Sequence, residues 1–322
     1  MAYFFVLANQ NAFDVRWCKG NIGDMILEPW TDHLKELGVH FQLSTQVRGF
    51  DTDSTDSSVS TIRCVASNDN ETRPLTLDTD KLIFAVGGAA LNRFASNSPE
   101  LAKHAEFRRF ANLRGTGVLA TRLYLDTTIS TAYSANACWG FDEAVGMTLF
   151  DITRLHNLDQ KEEGLRGSVI EIDYYHAASL LCMSDEEIVN KAKRDLDAIV
   201  GTQAKGAQVL DAAVVRLPSA VNWYSPGSYK HMPEAKSTSM SNVYFCGDIV
   251  RSRHGSWSQE KAYVTGIEAA NLVLGRSQGE GIIPIPADEP HVALGRKSVA
   301  AAKSLLGFGE ARRAPSLVDF LW

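Results

Sequence analysis

The stretch that most constrains this chain is 242–274, NVYFCGDIVRSRHGSWSQEKAYVTGIEAANLVL. Val243, Tyr244, Phe245 and Cys246 form an apolar run rich in β-formers, which predicts a short buried strand. The run ends at Gly247-Asp248, a polar loop follows over 251–256, and the pattern predicts a helix from about Ser258 to Leu274. Ala262, Gly266, Ala269, Ala270 and Val273 recur at helical spacing, so one seam of mostly small residues is expected to pack closely on a neighbour. Strand, Gly-Asp turn and helix start in series suit a phosphorylated, hydroxyl-rich cofactor. The helix start offers unpaired N–H groups, Asp248 can accept hydrogen bonds from ligand hydroxyls, and Gly247 permits close approach to the backbone. The plainer alternative is that Asp248 only closes a turn and Ser256 or Ser258 only caps the helix.

The same residues carry a family resemblance. GD followed by GSWSQEKAYVTGIEAAN resembles the C-terminal FAD motif of the flavin amine oxidase superfamily, and most closely its carotenoid desaturase branch, the phytoene and ζ-carotene desaturase-like proteins. TRLYLD at 121–126, SPGSY at 225–229 and IFAVGGAAL at 83–91 resemble that branch as well. The resemblance implies FAD as cofactor, with Asp248 on the flavin ribityl chain. It implies that the turn and helix start, Gly247, Gly255, Ser256, Trp257, Ser258, Gln259, Glu260 and Ala262, lie along the flavin. It also places the main chain of Val47 against adenine, a contact that an ordinary core valine could make equally well. Gly87, in the glycine pair ending the run 81–86, suits close approach of a dinucleotide.

Family members open with a strand–GxGxxG–helix unit that holds the ADP half of FAD. This sequence shows no such unit. Residues 115–120, GTGVLA, match GxGxxA by letter but lead into a strand-like run, so the match is read as chance. The chain is therefore expected to be the C-terminal portion of such an enzyme, with a separate N-terminal FAD-binding half as a candidate partner.

Composition sets the outer bounds. The 322 residues are 45% hydrophobic, enough for a sizeable core. A net charge of −6 argues against nucleic acid. The five scattered cysteines suggest buried free thiols in a reducing, intracellular compartment, a plastid included. Histidine spacing suggests no metal site. No apolar run reaches the ~18–20 residues of a membrane span, and residues 1–8 make a poor signal peptide. The expected protein is soluble or peripheral on a membrane.

In chain order, 14–38 reads as a loop and helix, and the resemblance implies that this segment borders a substrate cavity. Strands are predicted at 39–50, 81–86, 117–125, 147–153, 168–175 and 209–217, with a hairpin over 58–77. Helices are predicted at 98–110, at 184–200 behind a Ser184/Glu187 capping box, and at 293–306 after a Gly- and Pro-rich linker. The fold expected is mixed α/β. An incomplete Rossmann-like FAD domain (39–90 and 242–275) is interleaved with a mixed α/β substrate domain (91–241), preceded by the cavity-border segment 1–38 and followed by a basic tail, 276–322, that could rest on an anionic membrane surface. The function expected is hydride transfer from a C–H bond of an apolar, carotenoid-like substrate to flavin. The alternatives are a non-catalytic relic or binding module of the same fold, and an amine oxidase. Nothing in the spacing identifies a side-chain acid or base, and 91–241 shows no evident charged cluster for a polar substrate.

Overall fold

The computed structural model describes residues 16–68, 71–141, 145–158, 167–252, 254, 258–285 and 287–305. A π-helical turn at Gly23–Leu27 runs into α1 (Glu28–Glu36). Then follow β1 (Thr45–Thr52), β2 (Val59–Asn68), β3 (Glu71–Asp78), β4 (Leu82–Phe84), α2 (Gly88–Asn97) and α3 (Ala105–Phe110). The chain continues through β5 (Gly115–Leu125), β6 (Ala135–Cys138), β7 (Gly146–Asp151), β8 (Ser168–Tyr175), α4 (Asp185–Val200), β9 (Val209–Asn222), β10 (Val243–Phe245), α5 (Gln259–Leu274) and α6 (Pro290–Leu305). The architecture is mixed α/β. Its described residues divide into two units, 44–114 with 222–305, and 16–43 with 115–221.

The first unit holds two sheets. β1, β2 and β3 form an antiparallel meander, while β10 pairs with β4 in parallel, Val243 opposite Leu82 and Phe245 opposite Phe84. The parallel pair is anchored by aromatic packing: Phe84 and Phe245 stack at 5.6 Å between centroids, and Phe50, Phe107 and Phe110 pack edge-on around them. Buried Asn242, just before β10, ties the sheets together. Its side chain accepts from the Val59 N–H at 2.9 Å and donates to the Val59 carbonyl at 2.7 Å. On α3, the buried Glu106 carboxylate accepts from Ser237 Oγ and from the Thr238 and Ser239 N–H groups, which fixes the chain leading into β10. A buried carboxylate survives there because hydrogen bonds replace its lost hydration.

The second unit is built on a five-stranded sheet of order β6-β7-β8-β5-β9. Alternation along β8 sends Ile170, Ile172 and Tyr174 to one face, where they meet Leu119 and Leu123 of β5 and Ile188, Ala192 and Leu196 of α4. The Ser184/Glu187 capping box is present and starts α4 where its spacing predicts. GTGVLA lies within β5, so the GxGxxA match was a coincidence of letters.

Three expectations need correction, and one strand carries no sequence signal. Residues 39–44 are not strand, and β1 begins at Thr45; Val39, Phe41 and Leu43 are exposed, so their alternation does not mark a face packed on a core. The helix expected at 98–110 is broken into Pro99–Ala102 and α3. β6 has only small residues around one cysteine and gave no strand signal. The small-residue seam on α5 is rotated from the one expected: the helix buries Lys261, Val264, Thr265, Ala269 and Asn271, Ala270 is exposed, and a Cβ built on Gly266 meets nothing within 4 Å.

Gly266 is thus a helix-interior glycine with open space beside it. Gly266→Ala should stabilise the protein by about 0.5–1 kcal/mol through the lower backbone entropy of the unfolded chain. Denaturant unfolding checks this; a loss of stability would restore the close-packed seam.

Candidate cofactor site

β4 and β10 run in parallel and end at the same side, so the turns that follow them, Gly87-Gly88 and Gly247-Asp248, open together. Crevices at the carboxyl ends of parallel strands are where α/β sheets bind ligands. The two turns are joined by one side chain. Asn222, 9% exposed at the end of β9, accepts from the Gly88 N–H through Oδ1 at 2.6 Å and donates through Nδ2 to Asp248 Oδ1 at 2.6 Å. Tyr224 stands on the other side of Asp248, its hydroxyl 3.2 Å from Oδ2 and 2.9 Å from the main-chain carbonyl. Burial, and then the neighbouring Asp248 charge, push the Tyr224 pKa well above the usual phenol range, so it stays a donor.

The glycines are dictated by this geometry. A Cβ on Gly87 or Gly88 would stand 3.2 Å from Asn222 Oδ1, and one on Gly88 would also crowd Ile249 and Leu113 at 3.3 Å. Gly247 has φ +118°, which a residue with a Cβ rarely adopts. Its N–H donates to Thr265 Oγ1 at 2.9 Å, and that fully buried hydroxyl also lies 2.8 Å from the Lys261 carbonyl and 3.1 Å from the Gly247 carbonyl. Thr265 therefore pins the start of α5 to the turn. Ser258 caps the helix, accepting from the Lys261 N–H at 3.1 Å, while the Ala262 N–H bonds to the Ser258 carbonyl. The N–H groups of Gln259 and Glu260 then have no partner within the helix.

Lys261 is 6% exposed at this helix start. Burial depresses its pKa, and the charges of Asp248 and Glu268 oppose that shift. The site thus combines a carboxylate that keeps acceptor capacity on both oxygens, helix N–H donors, a buried ammonium and two backbone surfaces free of side chains. That donor set fits the hydroxyl-bearing and electron-rich parts of FAD.

Of the residues singled out in sequence, the structure brings Gly87, Gly247 and Asp248 to one place and sets Ser258, Gln259, Glu260 and Ala262 on the first turn of the helix pinned there. Val47 lies on β1, its side chain packed against the core of the first unit beside a bulge at Val47/Gly49. Gly255, Ser256 and Trp257 lie outside the described residues. The sequence gives no sign of a role for the Asn222, Thr265 and Lys261 side chains, and it offers Tyr224 only as apolar-pocket material. Asn222-Trp223-Tyr224 immediately precedes SPGSY and was the one available hint; Thr265 was hidden in a run of small residues.

The second unit corrects another expectation. A charged cluster does occupy the sheet face opposite α4. Arg122 Nε and Nη2 hold Glu171 Oε2 at 2.8 and 2.6 Å, and Asp173 follows two residues along β8. Burial, then Glu171, raise the Asp173 pKa to about 6 against the pull of Arg122, and its Oδ1 is buried without a hydrogen-bond partner among the described residues. The alternation Glu171-x-Asp173 was visible in sequence, but Arg122 joins it only through strand pairing.

The two turns bridged by Asn222 at the ends of the parallel β-pair are the candidate cofactor site of a mixed α/β fold. The family model of flavin-containing amine oxidoreductases matches residues 3–274, and the chain belongs to that family. FAD is the cofactor this family membership implies. No curated protein matches the chain. Among solved structures, one assigned as a protoporphyrinogen oxidase from Exiguobacterium sp. 255-15 superposes with TM-score 0.52 at 12% identity, covering 78% of this chain and 51% of that one. An oxidoreductase from Methanosarcina mazei gives TM-score 0.42 at 16% identity, covering 68% and 47%. Cyclohexylamine oxidase from Brevibacterium oxydans gives 0.44 at 12%, covering 71% and 47%. The chain spans about half the length of these structures.

The raised pKa of Asp173 sets a pH dependence. Because folding favours its protonated form, the stability tied to this group is complete below the ordinary carboxyl pKa and is lost as pH rises through about 6. Asp173→Asn should flatten the stability–pH curve between about pH 4 and 7, by roughly 2 kcal/mol after allowance for solvent screening. A variant curve parallel to wild type would show that Asp173 titrates normally.

Proposed function

We propose that this chain forms the flavin-side and substrate-side portion of an FAD-dependent oxidoreductase that removes a hydride from a C–H bond of an apolar, isoprenoid substrate such as a carotenoid. The observation that carries the flavin part is the Asn222 bridge, which sets Asp248 and the Gly87-Gly88 turn at the ends of two parallel strands. Bound FAD supplies a two-electron acceptor for a substrate hydride; the protein supplies binding, orientation and exclusion of water. Asp248 accepts hydrogen bonds from cofactor hydroxyls, held in place by Asn222 and Tyr224. The α5 start, fixed by Thr265, offers its N–H groups to electron-rich ligand atoms.

The carotenoid part rests on likeness in TRLYLD, SPGSY and GSWSQEKAYVTG, and is supported by apolar surface in the second unit. Trp17, Ile22, Met25, Ile26, Leu27 and Trp30 are all exposed around the start of α1, and Trp17 meets Phe150 edge-on at 5.2 Å. A substrate that dissolves in membranes suits a peripheral enzyme; among the described residues no helix is long and apolar enough to cross a membrane. Oxidation of an amine is the second reading, favoured by the Arg122–Glu171–Asp173 cluster, whose unpartnered oxygen would accept from a substrate N–H.

The two are separated by joining the chain to a family-type GxGxxG unit and following flavin bleaching without oxygen. Phytoene or ζ-carotene in liposomes should bleach the flavin, and Asp248→Ala should weaken flavin binding by about 1.5–3 kcal/mol, the range for a hydrogen bond to a charged group. Bleaching by an amine such as cyclohexylamine, with none by either polyene, would overturn the substrate proposed.

A further inference from the structure

The first unit holds a cavity of about 670 Å³, within the range of roughly 300–1,000 Å³ that small-molecule sites occupy. Its walls come from the stretch before β10, the stretch after it, the middle of α5 and the linker that follows α5. None of Gly87, Gly88, Asn222, Gly247 and Asp248 lines it, so it is a different place from the cofactor site. Arg251 stands on one wall and is fixed there. Its backbone N–H donates to the Pro233 carbonyl at 2.9 Å, its Nε to the Tyr229 carbonyl at 2.9 Å and its Nη1 to Glu234 at 2.8 Å. The guanidinium also lies 4.9 Å from the centre of the Tyr229 ring. Nη2 takes part in none of these bonds and has no acceptor among the described residues, so one arm of the fork is open. Glu268 stands on another wall, half-buried. Ser252 Oγ donates to its Oε1 at 3.4 Å, and Oε2 has no donor among the described residues. Burial raises the Glu268 pKa against the pull of His254, Ser252 and Lys261, the mark of a carboxylate short of partners.

The charges around the cavity cancel. Arg251 is paired with Glu234 and Asp288 with Arg296, while Glu268 feels His254 and Lys261. A lone anion or a lone cation would leave charge uncompensated in a partly desolvated space, which is costly. A ligand with no net charge and both signs uses both open groups. We propose that this cavity binds a small zwitterion, with its carboxylate on the open arm of Arg251, its ammonium on the free oxygen of Glu268 and an apolar body along Ala235, Ile282 and Ile285. The planar guanidinium matches a carboxylate, and the Glu268 carboxylate accepts a charged N–H, both stronger than neutral hydrogen bonds. ω-Amino acids, with a methylene chain between the two ends, are the simplest members of this class. The inference stands apart from the flavin reading and is tested without flavin.

The test uses the full chain and isothermal titration calorimetry. Glycine, γ-aminobutyrate and ε-aminohexanoate are the probes, each beside the amine and the carboxylic acid of matching length. One of the three should bind at least about tenfold tighter than either of its single-ended counterparts, and the length that binds reports the span between Arg251 and Glu268. Glu268→Gln keeps the shape and still accepts from Ser252 while removing the charge. It should weaken that probe at least about tenfold and leave the matching carboxylic acid unchanged. Ile282→Trp fills the cavity and should abolish binding of the probe with circular dichroism unchanged. If no ω-amino acid binds more tightly than its single-ended counterparts, the proposal is wrong. Equal binding by wild type and Glu268→Gln would overturn it too, as would binding that survives in folded Ile282→Trp, since the probe would then sit elsewhere on the surface.

Discussion

The arrangement of the first unit depends on one carboxamide. Asn222 reaches the ends of two parallel strands and bonds to both turns, so Gly88 and Asp248 are spaced by the length of a single side chain. A carboxamide suits this place because it donates and accepts at once, one oxygen for a backbone N–H and one nitrogen for a carboxylate. Removing it would leave a nearly buried N–H without a partner and a carboxylate short of a donor, two costs of about 1–3 kcal/mol each. Glycine at 87 and 88 follows from the same contact, since a Cβ would press on the amide oxygen. Asn242 does similar work at the other end of the parallel pair, where it locks Val59 of the meander to the strand it precedes. Two buried asparagines thus hold what the Phe84–Phe245 stack alone would leave free to slide.

The helix start is held by a different device. Thr265 is fully buried, and its hydroxyl is shared between the Gly247 turn and the first turn of α5. Helix N-terminus and glycine turn therefore behave as one rigid piece, which is what a site built on backbone donors requires. Burial lowers the Lys261 pKa near that piece, and the charges of Asp248 and Glu268 oppose the shift. In the second unit the apolar surface around α1 and the charged cluster on β8 pull the substrate reading in different directions, so substrate choice is a question for chemistry rather than for fold.

Much of this was legible in the sequence where periodicity and local chemistry agree. The strand at 243–245, the Gly-Asp turn, the capped helix at 259–274 and the Ser184 capping box each depend on neighbours in the chain, and the sequence displays them directly. What stayed hidden depends on distance. Asn222 meets Gly88 across 134 residues and Asp248 across 26, and no local pattern marks an asparagine at the end of a long strand as a bridge. On α5 the small residues suggest a packed face by size alone, whereas the buried face is set by Thr265 reaching back to Gly247. Arg122 and Glu171 meet only through the pairing of β5 with β8, so their cluster exists in the sheet and not in the sequence.

The site depends on the Asn222 bridge, and the side-chain amide of Asn222 reports on it directly. In a 15N-labelled sample the two Asn222 Nδ2 protons should resolve, with one shifted downfield and slow to exchange through its bond to Asp248, and Asp248→Ala should abolish that shift. The Gly88 amide should be protected in wild type and lose protection in Asn222→Ala. A fast-exchanging Asn222 side chain, unshifted by loss of Asp248, would contradict the bridge and with it the construction of the site.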